Sequence, residues 1–248
     1  MGLPTTLLGL GLQLRADADA ARRQHIATLA SRLGYESVWF SVAPGDAGAL
    51  DEIDTLLAAG VTHVGAVFTG PSEAAPEWVR IVGPAHPGLL VDVPDEAGPD
   101  CVTALGGADE WSRRGYVRGV PDPAAAGVVL SSASRAQTAA LATAAARVRA
   151  DVNPGLRIGV ALGVSIGRTM SEAQARVARD PFLAATGAPE AGLFGTFEQA
   201  QEQVLALAAA GVDWIRADLA DEQDIADLLA QLRAAAVGPA HVLHGRGR

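Results

Sequence analysis

Lysine is missing altogether. All 19 basic residues of the 248-residue chain are arginine, set against 28 acidic ones for a net charge of −9. That absence excludes Schiff-base aldolases, lysine-anchored pyridoxal enzymes and the lysine of a phosphate-binding P-loop. An acidic balance without a clustered basic surface also points away from a nucleic-acid partner. Cysteine occurs once, at Cys101, which excludes an intramolecular disulfide and any cysteine-based zinc cluster, and fits a reducing cytoplasm. No H-x-E or paired-carboxylate ligand spacing occurs, so no metal is expected. No apolar run reaches the ~18 residues of a membrane span. The apolar start carries no basic n-region and no cleavage site, so it reads as a strand rather than a signal peptide. The expectation is a cytoplasmic protein without membrane contact, from a bacterium with an arginine- and alanine-rich codon usage.

What is present is a repeated alternation of large and small residues. Over 157–167, Ile158, Val160, Leu162, Val164 and Ile166 fall on one face, and Gly159, Ala161, Gly163, Ser165 and Gly167 on the other. Residues 7–14 repeat the design, with Leu8, Leu10, Leu12 and Leu14 opposite Gly9, Gly11 and Gln13. Period-two alternation means strands with two different environments. In a sheet closed on itself, the branched face meets surrounding helices and the small face lines a lumen.

The order of elements agrees. Strands are expected at 7–14, 37–41, 62–69, 127–132, 157–167 and 211–219, separated by helices at 17–33, 47–59 and 134–150 and a long helical connection over 169–210. An acidic helix follows at 221–236, packing by Ile225, Leu228, Leu229 and Leu232. Gly34 and Gly60 are read as helix stops. The unit is βα, so parallel neighbours and right-handed crossovers are expected. At 248 residues the chain is close to the ~250 of one bare barrel, hence a single domain over 1–248. The reading is α/β: a compact (β/α)8 TIM-type barrel. Between strands 3 and 6 the prolines of 70–126 break the pattern into short apolar runs at 78–82, 88–93, 101–105 and 116–120. Two of these should be strands 4 and 5, in a barrel that is incomplete or distorted there.

Three passages resemble the luciferase-like monooxygenase family, the flavin- and deazaflavin-dependent TIM barrels. They are ASRLGYESVWFS (30–41), the strand–helix–strand passage 126–180, and GTFEQAQEQVLALAAAGVDWIRADL (195–219), where Thr196 and Gln199 form a capping box. Together they cover a little over a third of the chain. The resemblance implies a shortened member of the family, like the non-fluorescent flavoprotein of luminous bacteria. It would be an oxidoreductase or monooxygenase that uses FMN or the deazaflavin coenzyme on a small organic substrate. It also implies a homodimer. The departures are a compressed 70–126 region, Ser41-Val42-Ala43-Pro44 where the family often has an acidic residue and His, and only a loose match, at Arg118-Gly119-Val120-Pro121, to the family's phosphate turn. These departures support a second reading, a barrel that binds a ligand or a partner without turnover.

Active sites of such barrels lie at the C-terminal ends of the strands. The inward-facing polar residues near those ends are Gln13, Ser41, Thr69, Ser131 or Ser132, Ser165 and Asp218. They are the candidates for holding a flavin ring or its ribityl chain, joined by Arg118 and Gly119 for a phosphate. Asp218 and His86, the latter in the loop GPAHPG, are the candidate acid/base groups. Each has a plainer reading as a rim residue bonded to backbone or water. Trp214, Arg216 and Asp218 share one face of the last strand. A lumenal Arg216 requires a carboxylate, from Asp218 or a neighbouring strand. Gly163-Val164-Ser165-Ile166-Gly167 also matches the G-x-S-x-G elbow of serine hydrolases, with His241 or His244 following. Its unbroken strand alternation argues against the sharp turn an elbow needs. The two main readings divide on whether the lumen beside Gly9, Gly11, Gly65 and Gly163 is open or is filled by large aromatic side chains.

Overall fold

A computed structural model defines the fold. It describes residues 8–46, 48–71, 74–86, 88–93, 127–131, 134–181, 183, 188–219 and 224–237, and the backbone alone over 101–107. The elements in chain order are β1 (Gly9–Gln13), α1 (Ala20–Arg32), β2 (Ser37–Val42), α2 (Ala49–Ala58), β3 (His63–Phe68) and α3 (Ala75–Val82). Then come β4 (Leu90–Asp92), β5 (Cys101–Gly107), β6 (Gly127–Ser131), α4 (Arg135–Asp151), β7 (Arg157–Gly167) and α5 (Met170–Arg179). The last are α6 (Ala188–Ala191), β8 (Leu193–Thr196), α7 (Phe197–Ala209), β9 (Trp214–Leu219) and α8 (Ile225–Ala236).

Local sequence sets the helix ends. The Asp19 carboxylate accepts from the Arg22 backbone N–H and opens α1. Gly34, at φ 79°, ends it in the left-handed conformation that a Cβ disfavours. The expected capping box of Thr196 and Gln199 opens α7.

The strands close into a ring. β1 pairs with β2, β2 with β3, β3 with β4, β4 with β5, β5 with β6, β6 with β7, β7 with β9, and β9 back with β1. β8 lies outside this ring, on the overhanging end of β7 at residues 164–167. Large residues of the alternating strands face the helices as expected. Leu8, Leu10, Leu12, Ile158, Val160, Val164 and Ile166 are at most 1% exposed and join the leucines of α8 in one core.

The inner face forms a separate cluster. Trp39 and Trp214 stack there with ring centroids 5.5 Å apart and planes 9° from parallel, packed with Val67, Val129, Leu90 and Ala161. Small residues on other strands make room for the two rings. A Cβ at Gly65 would fall within the Trp39 ring and one at Gly159 within the Trp214 ring.

Of the four apolar runs in 70–126, 88–93 and 101–105 hold the two expected strands, β4 and β5. The run 78–82 is part of helix α3, where Trp78, Val79 and Val82 repeat at helical spacing and are buried on one side. Two expectations are corrected. β5 runs antiparallel to both neighbours instead of parallel. Only residues 93–100 separate it from β4, and a parallel crossover needs a dozen or more. The connection 169–210 is not wholly helical, since β8 interrupts it. The run 116–120 lies outside the described residues. Among the described helices none is long and apolar enough to cross a membrane.

Adding one methyl group to this lumen overfills it. Gly65→Ala and Gly159→Ala should each lose about 1–3 kcal/mol in urea unfolding. Gly88→Ala, where a Cβ meets nothing within 4 Å, should stay within about 0.5 kcal/mol of the parent.

Candidate functional site

Above the tryptophans the lumen becomes polar. Arg216 of β9 lays its guanidinium over the Trp39 ring, 5.3 Å from the centroid. It donates to Asp92 of β4, which is 1% exposed. The expected carboxylate partner therefore comes from the far side of the barrel, and not from Asp218 or an adjacent strand. A charge this deep is tolerable only when paired. The next turn of the lumen, at the C-terminal ends of the strands, carries Gln13 and Asp218, register partners on β1 and β9.

Asp218 is a perturbed carboxyl at the mouth. Burial pushes its carboxyl up to about 6, Asp180 and Asp17 push in the same direction, and Arg15 and Arg216 oppose them. Among the described residues its buried Oδ1 has no hydrogen-bond partner, and neither has Oε1 of Gln13. The Nε2 of Gln13 donates to the Leu14 carbonyl at 3.2 Å. Arg15, two residues past Gln13, donates to Asp17 at 3.2 Å and to Asp180 at 2.6 Å. Asp180 caps the C-terminus of α5 and is 7% exposed. That ion pair draws the end of α5 across to β1.

Beside the mouth, between the ends of β1 and β2, lies a cavity of about 300 Å³. Leu14, Ala16, Phe40 and Ala49 form its apolar wall, and Ser41 and Arg15 its polar edge. Arg23 also lines it, and its guanidinium is held by Glu52 at 2.8 Å.

Of the residues expected at the site, Gln13, Ser41 and Asp218 are at or beside this mouth. Ser131 ends β6 and is half-buried, paired in register with Cys101. Thr69 donates its hydroxyl to the Val42 carbonyl at 3.0 Å, tying the ends of β3 and β2 together. Ser165 is away from the mouth: it sits on the β7 overhang, 2% exposed, and donates to the Ala173 carbonyl at 3.0 Å. This removes the serine-hydrolase reading. The hydroxyl is spent, the strand runs straight through it, and among the described residues no non-glycine has the positive φ of a strained turn. His86 is also misplaced in the sequence reading. It lies in the α3–β4 connection, which leads into the N-terminal end of β4, with Nε2 3.7 Å from Asp54 of α2. Arg118, Gly119, Ser132, His241 and His244 lie outside the described residues.

Sequence reasoning passed over Arg15, Asp92 and Asp180. Asp92 had a signal, a lone carboxylate inside the apolar run GLLVDV. Arg15 and Asp180 had none, since their meeting depends on where α5 ends.

The architecture is thus a closed (β/α) barrel with one reversed strand and an acid-bearing mouth. Solved enzymes have a similar overall fold. One is the coenzyme F420-dependent tetrahydromethanopterin reductase of Methanopyrus kandleri, with a TM-score of 0.53 and 11% identity over 90% of this chain and 97% of that one. Another is an F420-dependent secondary alcohol dehydrogenase in complex with an F420-acetone adduct, at TM-score 0.57 and 10% identity over 92% and 99%. A third is the oxygenating constituent of 3,6-diketocamphane monooxygenase from Pseudomonas putida in complex with FMN, at 0.55 and 11% over 93% and 98%. At such identities the likeness is one of fold, the (β/α) barrel that the strand pattern led one to expect. No family model and no curated protein sequence matches this chain.

Two measurements follow from the buried charges. Asp92→Ala leaves Arg216 unpaired and should lose about 3–5 kcal/mol, most of it regained in the double variant Asp92→Leu/Arg216→Met, both read by urea unfolding. Asp218→Asn should act in the opposite direction. The folded carboxyl, at about 6, lies above its unfolded value near ~3.9. The native state then binds the extra proton between those pH values, and the parent loses stability as pH rises through that window. At pH 8 the variant should be the more stable by about 2–3 kcal/mol, with the difference closing by pH 4.

Proposed function

We propose that the chain is a flavin- or deazaflavin-dependent oxidoreductase of the monooxygenase type, acting on a small organic substrate at the C-terminal mouth of the barrel. The observation that carries this reading is Asp218. It is a half-buried carboxyl raised to about 6, at the end of a barrel strand, where such folds place their chemistry. The enzymes of like fold support the cofactor class: the reductase and the dehydrogenase are F420-dependent, and the monooxygenase constituent was solved with FMN.

The residues present fit the ring end of such a cofactor better than its phosphate end. A planar ring has no place inside the lumen, which Trp39, Trp214 and the Arg216–Asp92 pair fill. It has one at the rim, where the cavity offers an apolar wall from Leu14 and Phe40 and a hydroxyl from Ser41. Gln13, at the end of β1, and Ser131, at the end of β6, are further polar residues proposed to face it from other strand ends. The arginines of this region face carboxylates already: Arg15 with Asp17 and Asp180, Arg23 with Glu52, Arg216 with Asp92. A phosphate would therefore be met elsewhere, and Arg118 and Gly119 remain the residues proposed for it. When bound, the cofactor supplies the electron transfer. The chain's own part is to orient ring and substrate, to exclude water, and to hold or release one proton at the Asp218 carboxyl.

The filled lumen favours a second reading, a barrel of the same fold that binds a ligand without turnover. Titration of the purified chain with FMN and with the deazaflavin coenzyme separates the two. The oxidoreductase reading expects saturable binding of one of them, about tenfold or more weaker in Ser41→Leu with an unchanged melting temperature. A folded chain that takes up neither would overturn it.

A further inference from the structure

Gln13 and Asp218 are register partners on adjacent parallel strands, so their side chains leave the same face with backbones about 4.8 Å apart. Oε1 of Gln13 and Oδ1 of Asp218 are each shut off from solvent, and neither has a partner among the described residues. An ionised carboxylate only accepts, and so does an amide oxygen. With Asp218 ionised, two buried acceptors would stand on neighbouring strands with no donor between them, a costly arrangement. Turning the amide over does not cure it. Nε2 would then reach Asp218, but Oε1 would be set against the Leu14 carbonyl that Nε2 now serves at 3.2 Å. One proton satisfies every group at once: Asp218 donates to Oε1, and Nε2 stays on Leu14.

We propose that Asp218 carries a proton on Oδ1 and donates it to Oε1 of Gln13. Gln13 is thereby the positioning residue that holds the acid of the mouth in its neutral form, and loss of the proton takes away the only donor to its amide oxygen among the described residues. The charged groups around Asp218 are divided. Arg15, beyond β1, and Arg216, on the same strand, favour the ionised form; Asp180, at the end of α5, and Asp17 oppose it, and burial outweighs them all. Both arginines already face other carboxylates, Asp17 and Asp180 for the first and Asp92 for the second. With Asp218 neutral, the mouth sets the guanidiniums of Arg15 and Arg216 against the carboxylates of Asp17, Asp92 and Asp180. Ionisation adds a further negative charge, so this proton decides how strongly the mouth repels an electron-rich ligand. The inference concerns the chain alone and does not depend on any cofactor being bound.

The test is a ligand-free NMR titration that follows side-chain carboxyl carbons and the side-chain amide of Gln13. An aspartate signal missing from Asp218→Asn should titrate with a midpoint of about 6. The Gln13 NH₂ signals should move with the same midpoint in the parent and stay still in Asp218→Asn. In Gln13→Met the neutral acid loses its acceptor, and the midpoint should fall by about one pH unit. Titration of Asp218 near its usual ~3.9, Gln13 signals that ignore it, or an unmoved midpoint in a folded Gln13→Met would each overturn the proposal. If Gln13→Met does not fold, the parent and Asp218→Asn titrations decide it by themselves. Because no cofactor is added, a failure here is distinct from a failure to bind FMN or the deazaflavin.

Discussion

A sheet closed on itself must fill its own interior, and here the filling depends on one contact, the stack of Trp39 on Trp214. Two rings from strands on different sides of β1 meet in the middle of the barrel. They can do so only because Gly65 and Gly159 present bare backbone where any side chain would collide. An aromatic pair of this kind adds about 0.5–1.5 kcal/mol beyond the area it buries. Its larger effect is geometric. The stack sets the level below which nothing enters, and gives the Arg216 guanidinium a flat surface to lie on. That arginine in turn requires Asp92, which fastens β9 to the short β4 across the lumen.

The consequence for function is a barrel with a shallow mouth. Polar groups are confined to the strand ends, where Gln13, Asp218 and the Arg15–Asp180 pair gather. A low-dielectric wall on one side and mixed charges on the other suit a carboxyl that changes its protonation within a mild pH range. The same burial that raises the Asp218 carboxyl makes it costly when ionised. α5 contributes at a distance. Its terminal Asp180 reaches Arg15, so an element outside the ring helps set the electrostatics inside it.

Much of this was legible in the sequence wherever one face of an element was consistently small. The alternation in 7–14 and 157–167 announced strands of a closed sheet, and Gly34 and the Thr196–Gln199 box marked helix ends that the structure keeps. Gln13, Ser41 and Asp218 could be placed at the mouth from strand parity alone. Parity misled at Ser165, because β7 continues past the barrel and its last residues face β8 and α5 instead of the lumen. His86 was misjudged because its loop follows helix α3 and leads into the N-terminal end of β4, away from the mouth.

The sequence by itself determined which residues line the two faces of each strand, because period-two alternation is a local property of an extended backbone. It also determined that a buried Arg216 must find a carboxylate, because an unpaired charge cannot be kept out of water. Which carboxylate, only the tertiary structure decided. Asp92 lies 124 residues away, on a strand whose place in the ring follows from the reversal of β5. The pairing of Arg15 with Asp180 and the neighbouring of Gln13 with Asp218 are likewise products of ring closure. Contacts between distant strands are fixed by the registers that let the sheet meet itself, and no local pattern encodes those.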